Sequence, residues 1–485
     1  MRRDVRRVAI LGGGITGLSA AFYLKRQASE QGRDIQVTVL EKSGRLGGKV
    51  NTLRKRGFVI ERGPDSFLGR KLPMLHLARE LGLLGELVGT NPQAVKTYLA
   101  MNGRLQPMPK GLNLGIPNDL GAFARNSVVS PLGKLRALDE LRLPPKTDDA
   151  DETVGAFLER RLGREMVERI AEPLLAGIHA GNLYRLGLRA TFPQFAEMER
   201  KYGSVIRGMI EARKLAPVAG AKAAEARSAA VGGARIPPTA FLTFRNGLST
   251  LIETLEERLR ADGADIRLGA EVTALRQSAG GAPAYRLELA DGSAAEADAV
   301  LLALPAYATG ELLAPFVDVE ALNIEHASVA NVVLAYDARG FDHKLDGSGF
   351  LVPHSEGRTI TASTWTSSKW GHTAPAGKRL VRCYVGHADD ASAVELPDEE
   401  LTAAVRRDLR DLMGLTAEPE FVEITRLRRS MPQYPVGHVE RLAAFKRRLE
   451  ERLPGVYATG AAFDGVGLPD CVAMARDIAG EIMAR

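Results

Sequence analysis

Apolar runs alternate with glycine turns at the start of the chain. Val8–Leu11 has the length of one buried strand, Gly12–Gly17 forms a glycine-rich turn, Leu18–Arg26 carries apolar residues at helical spacing, and Gln36–Leu40 is a second apolar strand. That order predicts a β-α-β unit. Apolar residues three and four apart through Leu72–Gly89 and Val154–Glu172 predict helices in a region without alternating strands. Lys214–Pro238, rich in Ala, Gly and Arg with no consistent face and closed by Pro237-Pro238, is expected to be a mobile connector. Beyond it the pattern predicts a helix over Leu248–Leu259 and strands at Asp265–Leu268, Glu271–Leu275, Tyr285–Leu289 and Ala299–Leu304. Ser328–Tyr336, Thr359–Trp365 and Leu380–Val385 are rich in β-branched and aromatic residues and predict a second sheet. A strand and turn at Tyr457–Gly460 and a helix over Pro469–Ile482 close the chain.

With 485 residues and 45% apolar content, the chain exceeds what one core usually serves, so two or three domains are expected. Lys and Arg outnumber Asp and Glu 65 to 59, a net +6 that fits an anionic ligand or simply a basic surface. No Lys/Arg-rich run of nucleic-acid type occurs, and nucleic-acid binding is not expected. Cys383 and Cys471 stand far apart, without a C-x-x-C or clustered His, so neither a disulfide framework nor a metal site is suggested. Met1–Arg7 lacks the features of a signal peptide, and apolar stretches such as Ala299–Ala308, which contains Pro305, are too short to span a bilayer. A cytoplasmic setting without a transmembrane segment is expected.

Gly12-x-Gly14-x-x-Gly17 falls between strand and helix, where each glycine has a separate task. Gly12 makes the tight turn, Gly14 lets backbone approach a pyrophosphate, and Gly17 lets helix and strand pack closely. Glu41, ending the second strand, is placed to hold ribose hydroxyls. A bare glycine turn is the plain alternative, but strand, helix and acidic residue together predict dinucleotide binding. At the other end, Tyr457–Gly460 and Phe463-Asp464-Gly465-Val466-Gly467 lead into the last helix. The start of such a helix would favour an anionic ligand by about 0.3–2 kcal/mol; otherwise it is a plain strand-to-helix connection.

The continuation Glu41-Lys42-x-Gly44-Arg45-x-Gly47-Gly48-Lys49 resembles the amine-oxidase-like flavoprotein superfamily, in which a second glycine-basic turn runs beneath the pyrophosphate. Further stretches resemble the protoporphyrinogen and coproporphyrinogen oxidases of haem biosynthesis, in order and essentially end to end. They are Glu61-Arg62-Gly63-Pro64-Asp65-Ser66-Phe67, Glu172 to Asn182, Thr191-Phe192-Pro193-Gln194 and Met431-Pro432-Gln433-Tyr434. Ser328–Val332, Thr361–Trp365 with Lys369-Trp370, and Gly465–Cys471 are most similar to the soluble Gram-positive branch, which acts on coproporphyrinogen III.

The resemblance implies an α/β fold, α+β overall, with a Rossmann-type FAD-binding domain (1–75, 240–308 and 435–485). It also implies a mixed-sheet substrate domain (76–95, 185–239 and 309–434) and a helical subdomain (96–184). Noncovalent FAD would be held by Gly12, Gly13, Gly14, Ile15, Thr16, Gly17, Glu41, Lys42, Gly48, Lys49, Gly63, Pro64, Asp65, Ser66, Val272, Gly460, Val466, Gly467 and Leu468. Leu427 stands where related bacterial enzymes often carry Trp, which puts a cofactor contact by that side chain in doubt. The implied reaction is a six-electron oxidation of coproporphyrinogen III by dioxygen, releasing hydrogen peroxide, with the flavin accepting hydride and no catalytic side chain assigned. Lys71 and Arg70 are candidate partners for substrate propionates or else solvated charges, and Asn182 is a further candidate contact. His179 and His438 are expected to be structural. Protoporphyrinogen IX oxidation, amine oxidation and a noncatalytic porphyrin-binding role remain open as alternatives. So do weak peripheral membrane contact and contact with the next enzyme of the pathway.

Overall fold

The computed structural model describes residues 5–215, 221–278 and 283–485. The beginning of the N-terminal segment (1–4) and part of the expected connector (216–220) lie outside the described residues. A five-stranded, all-parallel sheet forms the base, in the order Asp265–Leu268, Ile35–Glu41, Arg6–Leu11, Ala299–Leu302 and Val456–Ala458. Strands from the beginning, middle and end of the chain are therefore neighbours. Side chains alternate along Arg6–Leu11: Val8 and Ile10 pack under the helices Ile15–Glu30, Ser249–Ala261 and Leu468–Ala484, while Ala9 and Leu11 face a second layer. That layer holds the antiparallel strands Val272–Gln277, Tyr285–Leu289 and Ala294–Ala297 and the helix His438–Arg452. A sheet buried on both faces accounts for its continuous apolar strands.

The second sheet has seven strands, in the order Phe421–Pro432, His326–Asp337, Lys378–Val385, Ile360–Thr364, Gly349–Leu351, Thr97–Met101 and Arg104–Pro107. Its last two strands come from the part of the chain expected to be helical. Their pairing is long-range, Gly349–Leu351 running parallel to Thr97–Leu99, and local periodicity does not report it. A separate core built on Phe123, Phe157, Phe192 and Phe195 holds the helical region.

Several predicted helices change character. The first begins at Ile15, inside the glycine motif, earlier than the expected Leu18. The Leu72–Gly89 helix stops at Glu80, because Gly82 takes a left-handed φ of +74°, and Leu87–Gly89 instead pairs with Phe241–Phe244. Val154–Glu172 breaks at Gly163, with φ +88°, and continues as a π-helix over Val167–Ala176 that encloses Pro173. Proline has no N–H to give to a regular helix, and wide π turns are frequent at functional sites. The connector also departs from expectation. Ala221–Ala230 is helical, and Arg227 is buried with its guanidinium donating to the carbonyls of Ala223, Pro237 and Thr239.

Among the described residues no helix is long and apolar enough to cross a membrane, and no group of three or more His, Cys, Asp and Glu is placed to hold a metal.

Candidate cofactor site

The glycine motif lies at the carboxyl edge of the parallel sheet, and its glycines are required for different reasons. Gly12 has φ +104°, and a Cβ there would sit 2.6 Å from the carbonyl oxygen of Ala303. A Cβ on Gly17 would fall 2.0 Å from the carbonyl oxygen of Gly12, so this glycine sets the closeness of helix and turn. On Gly13 it would meet Leu46 Cδ2 at 2.6 Å. Gly14 is the exception: its φ of −74° suits any residue, and a Cβ would meet nothing within 4 Å. The polypeptide itself gives no reason for glycine at this position. The space left open is a cradle, bordered by Gly48, whose own added Cβ would meet only the Gly14 Cα, at 3.3 Å.

Two helices begin beside this space. Ile15–Glu30 starts from Gly14 and Leu468–Ala484 from Gly467, each without a side-chain cap, so the N–H groups of Ile15 and Leu468 are free to meet an anion, while Pro469 has no N–H and Asp470 N–H turns back to the Gly467 carbonyl at 3.0 Å. The two helices pack along each other. Ile15 and Thr16 are buried, and the Thr16 hydroxyl oxygen lies 3.9 Å from a Cβ built on Gly460, so the first and last glycine turns are adjacent. Val466 precedes the second helix start and Leu468 opens it.

The second glycine-basic turn docks on the first through Gly47 N–H donating to the Gly13 carbonyl at 2.8 Å. Glu41 ties the two turns together: one carboxylate oxygen accepts from Gly13 N–H at 2.7 Å, the other from the Ser43 N–H at 2.8 Å and its hydroxyl at 2.7 Å. Lys42 points outward to Glu271 at 2.6 Å, next to Val272 at the head of its strand. Arg45 bends back onto the carbonyls of Leu46 and Val50 at 3.1 and 3.3 Å and of Gly48 at 2.6 Å.

Lys49 is reached by solvent yet walled in by protein, as a side chain on the wall of a deep cleft would be. Burial lowers its pKa, against the opposing pull of Cys471, and its ammonium donates to the Ser430 carbonyl on the seven-stranded sheet. Gly63 crosses directly behind it, where a Cβ would fall 1.7 Å from the Lys49 carbonyl oxygen. Pro64 and Ser66 are half-buried beside Asp65, which accepts from the Ser66 hydroxyl at 2.6 Å and pairs with Lys369 at 3.2 Å. Burial would raise Asp65, but Lys369 and Arg382 outweigh it and hold the carboxyl well below the usual range. Gly12–Gly17, Glu41, Gly47–Lys49, Gly63 and Gly460 thus lie against one another at the carboxyl edge of the sheet, with Lys42 turned away to Glu271.

The proposed substrate contacts are placed differently. Lys71 ends in a two-oxygen pair with Asp470, at 2.6 and 2.7 Å, in the first turn of the last helix. Its charge is already matched within the fold, and the role this geometry gives it is to hold that helix start. Lys71→Met is expected to lower stability by about 1 kcal/mol or less, since the pair is part-exposed, a melting shift of a few degrees at most. Arg70 is exposed. The Asn182 amide donates to Asp389 at 2.7 Å while its oxygen accepts from Tyr184 N–H at 2.8 Å, so one end ties to a distant segment and the other serves the local turn. His179 is buried between the rings of Phe192 and Tyr434, and burial pushes its pKa down to about 4. His438 stacks on Tyr434 with ring centres 4.5 Å apart, and burial lowers it too. Both are neutral packing groups at neutral pH. Leu427 lies half-buried in its strand opposite Val329.

Sequence reasoning missed Arg382, Lys369 and Ser430. A charged residue inside the apolar strand Leu380–Val385 was the available signal for Arg382.

The model of the flavin containing amine oxidoreductase family matches residues 15–483. Coproporphyrinogen III oxidase of Bacillus subtilis is 40% identical over 468 residues, covering 96% of each chain. The enzyme of the same name from Staphylococcus aureus is 38% identical over 484 residues, covering 99% of each. Among solved structures, one from Exiguobacterium assigned as a protoporphyrinogen oxidase superposes with a TM-score of 0.84 at 36% identity, covering 99% of each chain.

Proposed function

The chain belongs to the flavin containing amine oxidoreductase family, and from that premise we propose that it is an oxidase that binds FAD noncovalently and converts coproporphyrinogen III to coproporphyrin III, with dioxygen as acceptor. The choice of substrate rests on near-full-length identity to two enzymes that bear its name. The observation that carries the cofactor is the open space at Gly14, beside two helix starts and in a glycine motif whose other members are fixed by contacts within the polypeptide.

The residues present fit a dinucleotide. The free N–H groups at Ile15 and Leu468 would meet its phosphates, and Glu41 would exchange part of its contacts with Ser43 for ribose hydroxyls. Gly48 leaves room for backbone approach, and Lys49 brings a cation into the cleft. When bound, a flavin supplies the hydride acceptor that no side chain can replace. The protein's own part is to hold the substrate, exclude water and keep competing bases away. The buried, neutral His179 and His438 suit that last task, since neither is held to take a proton from a substrate. Over three rounds the substrate loses six hydrogens and three dioxygen molecules become three hydrogen peroxide molecules, which balances atoms and electrons.

Purified yellow protein mixed anaerobically with coproporphyrinogen III is expected to bleach, and to recover its colour with peroxide release on admitting air. Protoporphyrinogen IX run alongside is expected to react more slowly. A flavin-loaded protein that bleaches with neither would have a binding role instead. Bleaching by a polyamine alone would make it an amine oxidase.

A further inference from the structure

Beside Gly63–Ser66, side chains from the strands Phe58–Glu61 and Lys378–Val385 and from neighbouring loops surround a cavity of about 20 Å3, room for one water molecule. Glu61, Asp65, Trp370, His372 and Arg382 line it together with apolar side chains such as Val333. Arg382 is 4% exposed and Trp370 1%. Arg382 gives one guanidinium nitrogen to the Gly63 carbonyl, but its Nε and Nη1, with Trp370 Nε1, have no hydrogen-bond partner. Buried donors left unpaired cost about 1–3 kcal/mol each, so several around one water-sized space indicate an occupant that accepts hydrogen bonds.

The two carboxyl groups on the cavity are unlike. Asp65 stays ionised beside Lys369 and Arg382. Glu61 accepts from Leu248 N–H at 2.6 Å and the Thr52 hydroxyl at 2.9 Å, joining three segments of the chain.

We propose that this cavity binds one water molecule and that Glu61 carries a proton beside it, together making Arg382 a positioning residue for the Gly63–Ser66 wall of the cofactor cleft. The water completes the guanidinium's contacts, so the fork stays aimed at the Gly63 carbonyl. A neutral Glu61 does not draw Arg382 away from Asp65 and Gly63, whereas an ionised one competes for it. Burial brings the Glu61 pKa up to about 7, against the N–H of Leu248, the Thr52 hydroxyl and the Arg382 charge, with Asp65 adding to the rise. Arg54, paired with Glu253, also faces Glu61. His372, kept neutral by burial and by Arg245, and Lys369, held by Asp65, complete the charged surroundings. The joint is therefore closed below neutral pH and loosened above it.

The positioning role rests on the flavin reading of the cleft, but the proton and the water do not. Thermal unfolding of the apoprotein and FAD titration by flavin fluorescence should be compared for the natural chain and Glu61→Gln from about pH 5 to about pH 9. Because the folded-state pKa is raised, the stability contribution is present below about 4.5 and lost as pH rises through about 7. The melting temperature of the natural chain is thus expected to match the variant below that window, fall relative to it across the window, and stay below it by a constant amount above. Its FAD affinity is expected to drop about three- to tenfold across pH 7, the worth of one net hydrogen bond, and to stay flat in Glu61→Gln. Arg382→Lys, which lacks the fork, is expected to bind FAD more weakly at every pH. A crystal structure should show one water peak within hydrogen-bond distance of Arg382 Nε or Nη1. The same pH course in both proteins, or a dry cavity, overturns the proposal. Failure of either protein to bind FAD at any pH would overturn the flavin reading and with it the positioning role, while the melting curves would still decide the Glu61 proton.

Discussion

Gly14→Val is expected to yield a folded protein that purifies without yellow colour. A Cβ at this position touches no protein atom within 4 Å, and φ −74°, ψ 177° is an extended conformation open to a β-branched residue. The cost to the apoprotein is therefore only that of a poorer helix start, about 1 kcal/mol or less. The branched side chain would instead fill the space between the free N–H groups of the first helix and the facing Gly48. Losing charge-assisted bonds from backbone to phosphate should weaken FAD binding about a hundredfold or more, equivalent to ~3 kcal/mol. Gly14→Ala, with one methyl, should fall between. Flavin absorbance after purification and apoprotein melting, measured together, check both halves. A fully loaded yellow Gly14→Val protein would remove the cradle from the cofactor site.

Arg161→Met is expected to destabilise the helical region severely and leave FAD binding almost intact. Arg161 and Glu140 are both fully buried, and the guanidinium is saturated. Arg161 Nε donates to Glu140 at 2.8 Å, Nη1 to the Pro144 carbonyl at 3.0 Å, and Nη2 to the Gly203 carbonyl at 3.0 Å. Glu140 in turn accepts from Val205 N–H at 2.8 Å and from the Ser204 hydroxyl, fixing the start of the helix Val205–Leu215. Methionine would preserve much of the volume but strand a buried carboxylate, a loss of about 3–5 kcal/mol. Removing both partners should recover only part of that, because the helix start would still lose its acceptor. Hydrogen exchange is expected to rise sharply across Val154–Leu162 and Val205–Leu215, with protection of the parallel sheet unchanged. Equal loss across both regions would mean that the helical region does not unfold on its own.

The nucleotide cradle was legible because its signals are local. Three glycines, a strand before them and a helix after them lie within a short stretch, and Glu41 ends the next strand; each requirement acts between near neighbours. The mates of the charged side chains were not legible. Lys71 looked free for a substrate carboxylate until the fold set Asp470, 399 residues away in sequence, against it. Asn182 looked like a chamber contact, yet the turn at Tyr184 and the side chain of Asp389 engage its amide. Arg227 sat in what looked like a featureless connector, but three backbone carbonyls account for its burial.

By itself the sequence determined the parallel sheet with its glycine turn and the kinship with the porphyrinogen oxidases, and it led to the expectation that the first and last glycine turns lie together. These follow from backbone conformation and hydrophobic period, which neighbouring residues dictate. Only the tertiary structure decided that Thr97–Met101 joins the second sheet, that Val167–Ala176 winds as a π-helix, and that Glu61, Asp65 and Arg382 share one cavity. Strand pairing and buried charge depend on which distant segments exclude water together, and the proton affinity of a buried carboxyl is set by that shared enclosure rather than by its place in the chain.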